Sequence, residues 1–495
     1  MQFPMMAQRD WSRWLWLAGA IATGASLAVM PPLLAVSWLL GLVALGLAAS
    51  DPVWPVALAV LSVPFQQLVL LPGGISVTQF CFGLVALSLL WHIRQRWPKP
   101  EITGLTLAIF IWTLALAAAL TPLSRSEGLK ETFRWGTVLL IYLAAVWALQ
   151  DPARAQWRRA VLVACLLAAP AITGLIGIGQ YLTGIGPDSF AIGSGRVRAY
   201  GTIGQPNSFA GYLNQAWPLA AGMGLALIET RRWRTYHWWL ILGALALAGA
   251  SLLGGLLASF SRGGWIGAMV GVLALGIAFA GRYGRRIVGI IVTAVLIAGL
   301  GGLLLLNSGL VPAAFSNRVS SILENLRPFD VRSVEITPAN FAVVERMAHL
   351  QAAWNMIQER PLFGVGPGNF SIAYERLVYS GQTPTWIKPW YDSRGHAHNY
   401  YLHIAAESGL IGALAYLVWL GSGWYRAIGA VRRARDWLTR GIALGGIGVI
   451  GALSGHNLFE NLHVLNMGVQ LGTVIALLAT IAAEPASQPI DKEDV

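Results

Sequence analysis

Charge is what this chain has least of. Only 11% of its 495 residues are Asp, Glu, Lys or Arg, against roughly 25% in an ordinary soluble domain. The deficit runs the whole length, which excludes a water-soluble globule. Cysteine is almost missing. Cys81 and Cys165 both lie in apolar runs without a CxxC spacing, so no disulfide framework or thiol metal site is implied. There is no His-Glu-x-x-His signature, no helical His-x-x-x-His pair and no membrane-edge Asp-rich pair to hold Mg²⁺ on a diphosphate. Internal repeats are not visible either. The net charge of +12 is not a nucleic-acid footprint, because the basic residues sit in short clusters between apolar runs, as topology determinants do.

What is present is hydrophobic sequence, 56% of residues with a mean hydropathy of +0.60. Apolar runs of about 20 residues, the length that crosses a bilayer as a helix, recur from Trp14 to Ala482. The expectation is an all-α polytopic membrane bundle of 12 to 14 spans, near 14–30, 33–49, 53–71, 75–92, 103–121, 134–150, 160–183, 206–228, 238–259, 264–280, 287–306, 400–425, 441–459 and 464–482. Five regions follow: N-terminal spans (1–183), central spans with arginine-bearing outer loops (184–306), a large outer loop (307–399), C-terminal spans (400–483) and a polar, disordered tail (484–495). The first apolar run, after Arg9 and Arg13, reads as an uncleaved span.

Arg94, Arg96 and Lys99, then Arg154, Arg158 and Arg159, Arg231, Arg232 and Arg234, Arg282, Arg285 and Arg286, and Arg426 to Arg440 fall in alternate connections. The positive-inside rule puts these clusters and both termini in the cytoplasm. The opposite face then carries the 184–205 loop, the Ser261–Gly264 turn, the 307–399 loop and the 457–463 connection. In the long loop, Phe341 to Glu359 has helical apolar spacing ended by Pro361. Gly364-Val365-Gly366-Pro367-Gly368-Asn369 lacks the βαβ setting of a nucleotide site and reads as a tight turn.

Polar groups at that outer face carry the candidate chemistry. His398, in His396-Ala397-His398-Asn399-Tyr400, is a candidate general base. Arg198 and Arg262 are candidate ligands for a pyrophosphate, which accepts bidentate hydrogen bonds from guanidinium groups; outer-interface arginines also snorkel to lipid headgroups. Asn399, His403 and Glu407 fall at i, i+4, i+8 on one helix face, which suits either a site or a clamp between helices. His456 and Glu460 are i, i+4 neighbours that line the same cavity or form a polar helix end. His396 and His398 with His456 or His463 would supply zinc-type nitrogens, but the spacing matches no known pattern, and no metal or cofactor is expected.

Three segments resemble the O-antigen ligase and O-antigen polymerase family of bacterial membrane glycosyltransferases. They are Arg198 to Leu213 (R-x-x-G-x-x-x-x-P-N-x-x-A-x-x-L, which includes Asn207), Ser261-Arg262-Gly263, and the stretch from Arg346 through Pro361–Gly366 to His398–Leu402 and Glu407–Gly412. The resemblance covers about 185–425. It implies an undecaprenyl-pyrophosphate-linked glycan as donor and a second glycan or lipid A core as acceptor. It further implies a site on the outer face of the bacterial inner membrane, with no metal. Carried over residue by residue, Arg198 and Arg262 hold the diphosphate and His398 is the base. Arg346, His396, Asn399, His403, Glu407 and Asn207 stand as supporting residues. Membrane lipids are the other expected partner, and nucleic acid is not one.

Rival readings are a solute transporter of the inorganic-carbon type, a peptidoglycan polymerase of the shape and division type, and a protein O-oligosaccharyltransferase. A transporter would gather its ionisable groups near the midplane, often in paired repeats; here they gather at one face.

Overall fold

Lipid offers no partner to an open backbone, so apolar runs of this length fold as helices. The computed structural model describes residues 24, 32–71, 74–93, 101–193, 195–230, 235–306, 329–337, 340–380 and 395–485. In chain order the helices are α1 (Pro32–Ser50), α2 (Val53–Ser62), α3 (Val77–His92), α4 (Ile102–Leu120), α5 (Arg125–Leu149), α6 (Ala155–Thr183), α7 (Pro206–Asn214), α8 (Trp217–Glu229), α9 (Tyr236–Ala258), α10 (Arg262–Ala280), α11 (Arg285–Leu306), α12 (Phe341–Glu359), α13 (Phe370–Ser380), α14 (Tyr400–Arg433), α15 (Trp437–His456) and α16 (Gly468–Ala482). Between α6 and α7, β1 (Ala191–Gly193) pairs antiparallel with β2 (Arg196–Val197). Among the described residues seven helices are long and apolar enough to cross a membrane, α4, α5, α6, α9, α10, α14 and α15, and four apolar helices are shorter. The fold is an all-α polytopic membrane bundle.

The structure departs from the expected spans in three places. Residues 206–228 form two helices, because Pro218 has no N–H to give the carbonyl of Asn214. Buried Asn214 stabilises the break: it accepts from Trp217 Nε1 (2.8 Å) and donates to Gly264 O (2.9 Å). The expected span at 53–71 stops as a helix at Ser62 and tightens into a 3-10 turn over Val63–Phe65. At the C-terminus, Glu484 is not part of a free tail, since its carboxylate meets Arg159 at 2.7 Å. The expected first span, 14–30, lies outside the described residues apart from Gly24. So do 307–328, 338–339 and 381–394 of the long loop.

Helix α15 is the buried centre, packed against α8 and α10. Glycines four apart make the second contact possible. A Cβ at Gly267 would stand 2.7 Å from Ala452 O, and one at Gly271 would stand 2.9 Å from the Ala452 methyl. Small residues at this spacing let helix backbones approach where no hydrophobic drive exists between helices in lipid. The approach brings the His456 end of α15 against the first turn of α10. Basic side chains gather at the other end of the bundle. Arg158 grips Asp51 through Nη2 (2.8 Å) and Nε (2.9 Å), Arg426 pairs with Glu101, and Arg282 and Arg440 pair with Glu229.

Helix α14 is kinked at Gly409, whose φ of +68° breaks the helical run. The 361–369 turn sits in that kink. Leu410 N donates to Pro361 O (2.8 Å), Val365 N to Ala406 O (2.9 Å) and Gly366 N to Glu407 O (2.8 Å). The Glu407 carboxylate then accepts from Gly368 N (2.9 Å) and Phe370 N (3.0 Å), capping α13. Beyond it, Ala352, Met356, Phe370 and Tyr374 form a small apolar core with Ala397, Ala405 and Ala406, which seats the described part of the long loop on α14.

Candidate active site

Four chain segments deliver polar side chains to the end of the bundle away from the Asp51 and Glu101 ion pairs. Arg198 leaves β2 with its N–H donating to Phe190 O (2.8 Å). Its Nε donates to Ser259 O (2.9 Å) and its Nη2 to Asn207 Oδ1 (2.9 Å). Asn207, in the first turn of α7, donates through Nδ2 to Glu460 Oε2 (2.7 Å). The other carboxylate oxygen of Glu460 meets His396 Nε2 and lies 3.5 Å from His398 Nδ1. Hydrogen bonds thus run from Arg198 through Asn207 and Glu460 to His396, and bring the Glu460 carboxylate beside His398, 200 positions from Arg198. Arg262 opens α10, capped by Ser261 Oγ, which accepts from Gly264 N at 3.2 Å. The next residue, Gly263, lies against His456 and Phe459, so the Arg262 turn abuts the segment that carries Glu460.

His398 is held in an unusual backbone conformation. Its φ is +49°, a left-handed value that costs a non-glycine residue roughly 1–2 kcal/mol. The flanking bonds keep it there: Tyr400 N donates to Asn457 O (2.8 Å), and Asn399 caps α14 by accepting from Leu402 N (3.1 Å). Strain of this kind collects at functional sites. The imidazoles of His396 and His398 lie 4.4 Å apart, and His349 of α12 sits 5.5 Å from His398. The rings are not equivalent to isolated ones. Burial takes His398 below its ordinary pKa of 6.5, and Glu460 opposes that shift. His349 falls to about 3, through burial and then the charges of His398, His396 and Arg346. Burial would raise the Glu460 carboxyl, but the two imidazoles outweigh it and hold it well below the usual carboxylate range. A neutral His398 beside an ionised carboxylate is the arrangement of an oriented general base. Glu460 Oε1, 3.5 Å from His398 Nδ1, acts on that ring through its charge.

The supporting residues divide. Asn207, His396 and Arg346 belong to this cluster, Arg346 by the reach of its charge to His398 and His349. Asn399 is a helix cap. Glu407 is a turn clamp, with His403 Nε2 3.6 Å from it, too far for a hydrogen bond. Three further residues lie in or beside the cluster, of which the sequence left Glu460 open between a cavity and a polar helix end. Glu460 had a visible signal, a carboxylate between His456 and His463 in an apolar setting. Glu131 and Arg134 had none. They form an ion pair on α5 within electrostatic reach of His403 and Glu407. Among the described residues, buried His398 Nδ1, His403 Nδ1 and His456 Nε2 have no hydrogen-bond partner, and such orphans flag a site that something else completes. The ligand atoms of His396, His398 and Glu460 all lie within 4.8 Å of one another, close enough to share a metal ion.

These features define a helical membrane protein with guanidinium, imidazole and carboxylate groups gathered at one end of its bundle. Residues 247–417 match the family model described as O-antigen ligase. No curated protein matches the chain significantly. The matched stretch contains Arg262, Arg346, His396, His398, His403 and Glu407, and leaves Arg198, Asn207 and Glu460 outside it. The matched domain supports a glycosyl-transfer role in O-antigen and lipopolysaccharide assembly.

Proposed function

We propose that the protein transfers a glycan from undecaprenyl pyrophosphate to an acceptor sugar hydroxyl, as a ligase or a polymerase, at the outer face of the bacterial inner membrane. The observation that carries this reading is the hydrogen-bonded run from Arg198 through Asn207 to Glu460, whose carboxylate lies 3.5 Å from His398 Nδ1. It couples a cation suited to a diphosphate to a base suited to a hydroxyl. His398 Nε2 takes the acceptor proton while the hydroxyl oxygen bonds to the anomeric carbon. The bond from that carbon to the phosphate oxygen breaks, and its electron pair leaves with the undecaprenyl pyrophosphate. Attack opposite the leaving group inverts the anomeric centre. Arg198 and Arg262 neutralise the departing diphosphate, the charge that grows most in the transition state, so the step needs no metal. Glu460 acts through His398 as a positioning residue, its charge bearing on the ring.

The charge pattern supports the sidedness, since the described basic clusters with Arg158, Arg282, Arg426 and Arg440 lie at the far end of the bundle. The test is transfer by purified protein from a lipid-linked oligosaccharide to separate acceptors. His398→Ala is expected to abolish transfer while leaving the protein monodisperse. Normal transfer by that variant would remove His398 from the role. A ladder of products marks a polymerase, and a single addition to lipid A core marks a ligase.

A further inference from the structure

We propose that His396, His398 and Glu460 form a binding site for a divalent ion of the zinc type, and that filling it silences transfer by taking the base. The binding half stands on geometry alone; the silencing half rests on the function proposed above. Two imidazole nitrogens and one carboxylate oxygen lie within 4.8 Å of one another. Two histidines and a glutamate are a ligand set that holds zinc with a fourth position open. Nitrogen donors select zinc, cobalt, nickel or copper over magnesium and calcium. The carboxylate is already oriented, because its second oxygen accepts from Asn207 Nδ2 at 2.7 Å, the kind of outer contact that metal ligands require. Access is open on one side: the His396 and His398 side chains are 30% and 19% exposed, while Glu460 is 5% exposed. Arg346, whose charge reaches His398, opposes a cation there.

Zinc coordinated at His398 Nδ1, the nitrogen that faces Glu460, leaves the ring proton on Nε2, so that nitrogen can take no acceptor proton. The effect is inhibition, reversible by a chelator, and not a requirement for metal. Metal titration of the full chain in detergent tests binding. One equivalent of Zn²⁺ is expected, and Co²⁺ in its place is expected to show the intense visible absorption of a four-coordinate ion, a reading that needs no variant. His396→Ala and Glu460→Gln are each expected to weaken zinc by at least about tenfold. Arg346→Ala should tighten it. His237→Ala, an exposed histidine at the start of α9, should leave it unchanged. The proposal falls if no equivalent binds, if Co²⁺ shows only a six-coordinate spectrum, or if both ligand variants bind as the unaltered chain does. In those cases the transfer reading is untouched. If zinc fills the site in a glycan-transfer assay and transfer continues at full rate, the silencing half falls, and the assignment of His398 as base falls with it.

Discussion

Glu460→Gln isolates the oriented base from everything else in the site. The amide keeps the size of the carboxylate and can still accept from Asn207, so the bond from Arg198 Nη2 to Asn207 at 2.9 Å is left in place. What goes is the negative charge beside His396 and His398. A hydrogen bond to a charged group is worth about 1.5–3 kcal/mol. If that stabilisation is felt only as His398 takes the proton, kcat drops about 10- to 150-fold at 1.36 kcal/mol per decade. KM for the lipid-linked donor stays near its original value, because the arginines are unaltered. The pH profile gives an independent reading. Glu460 raises the proton affinity of His398 against the effect of burial. Its removal moves the acid limb of the rate, already below 6.5, to lower pH. The assay is initial-rate transfer against pH, with size exclusion to confirm an intact fold. A variant with full kcat and an unmoved acid limb would refute the positioning role, and the same kinetics with a raised donor KM would make Glu460 part of the diphosphate cradle instead.

Other perturbations separate chemistry from scaffold. Arg198→Ala should raise donor KM and lower kcat, and unchanged donor kinetics would detach Arg198 from the diphosphate. Gly409→Ala forces a side chain onto a φ of +68° and drives its Cβ into the Leu362 backbone, so a loss of more than about 2 kcal/mol is expected as a lower melting temperature in detergent; an unchanged melting temperature would contradict the kink. Glu407→Gln weakens the acceptor of Gly368 N and Phe370 N and should cost about 1–3 kcal/mol of stability, yet transfer per folded molecule should stay within about threefold. A collapse of kcat at full stability would return Glu407 to the chemistry. His349 is held at about 3 in the fold against 6.5 ordinarily, so as pH falls the unfolded chain binds the proton first. Its contribution is flat above about 6.5, and below that stability is lost by about 1.4 kcal/mol per pH unit down to about 3. Thermal unfolding of His349→Gln should show a shallower acid slope than the parent.

The helices were legible because hydrophobic length sets them, and Phe341–Glu359 was readable to the residue from its apolar spacing and Pro361. The break before Trp217 was not, since a window average hides one proline among apolar residues. Arg198, Arg262 and His398 stood out as polar groups in a chain that has few. Glu460 stayed open between two readings because a carboxylate between two histidines looks the same at a frayed helix end and in a site; only the fold reveals that Asn207 and His396 reach it. Glu131 and Arg134 were beyond reach for a different reason. Their partners lie some 270 positions away, and α5 reads from its sequence as one more span. Glu407 shows the limit of periodicity: spacing gives the face of a helix but not the partner across it.

The kink at Gly409 and the 361–369 turn seated in it make that turn and the transmembrane helix holding it a single mechanical unit. Grafting a related protein's outward segment at 307–399 would leave its turn against a foreign kink, with five backbone donors needing acceptors of matched position. Acceptor preference should therefore be transplantable only as a cassette that runs on through Gly412.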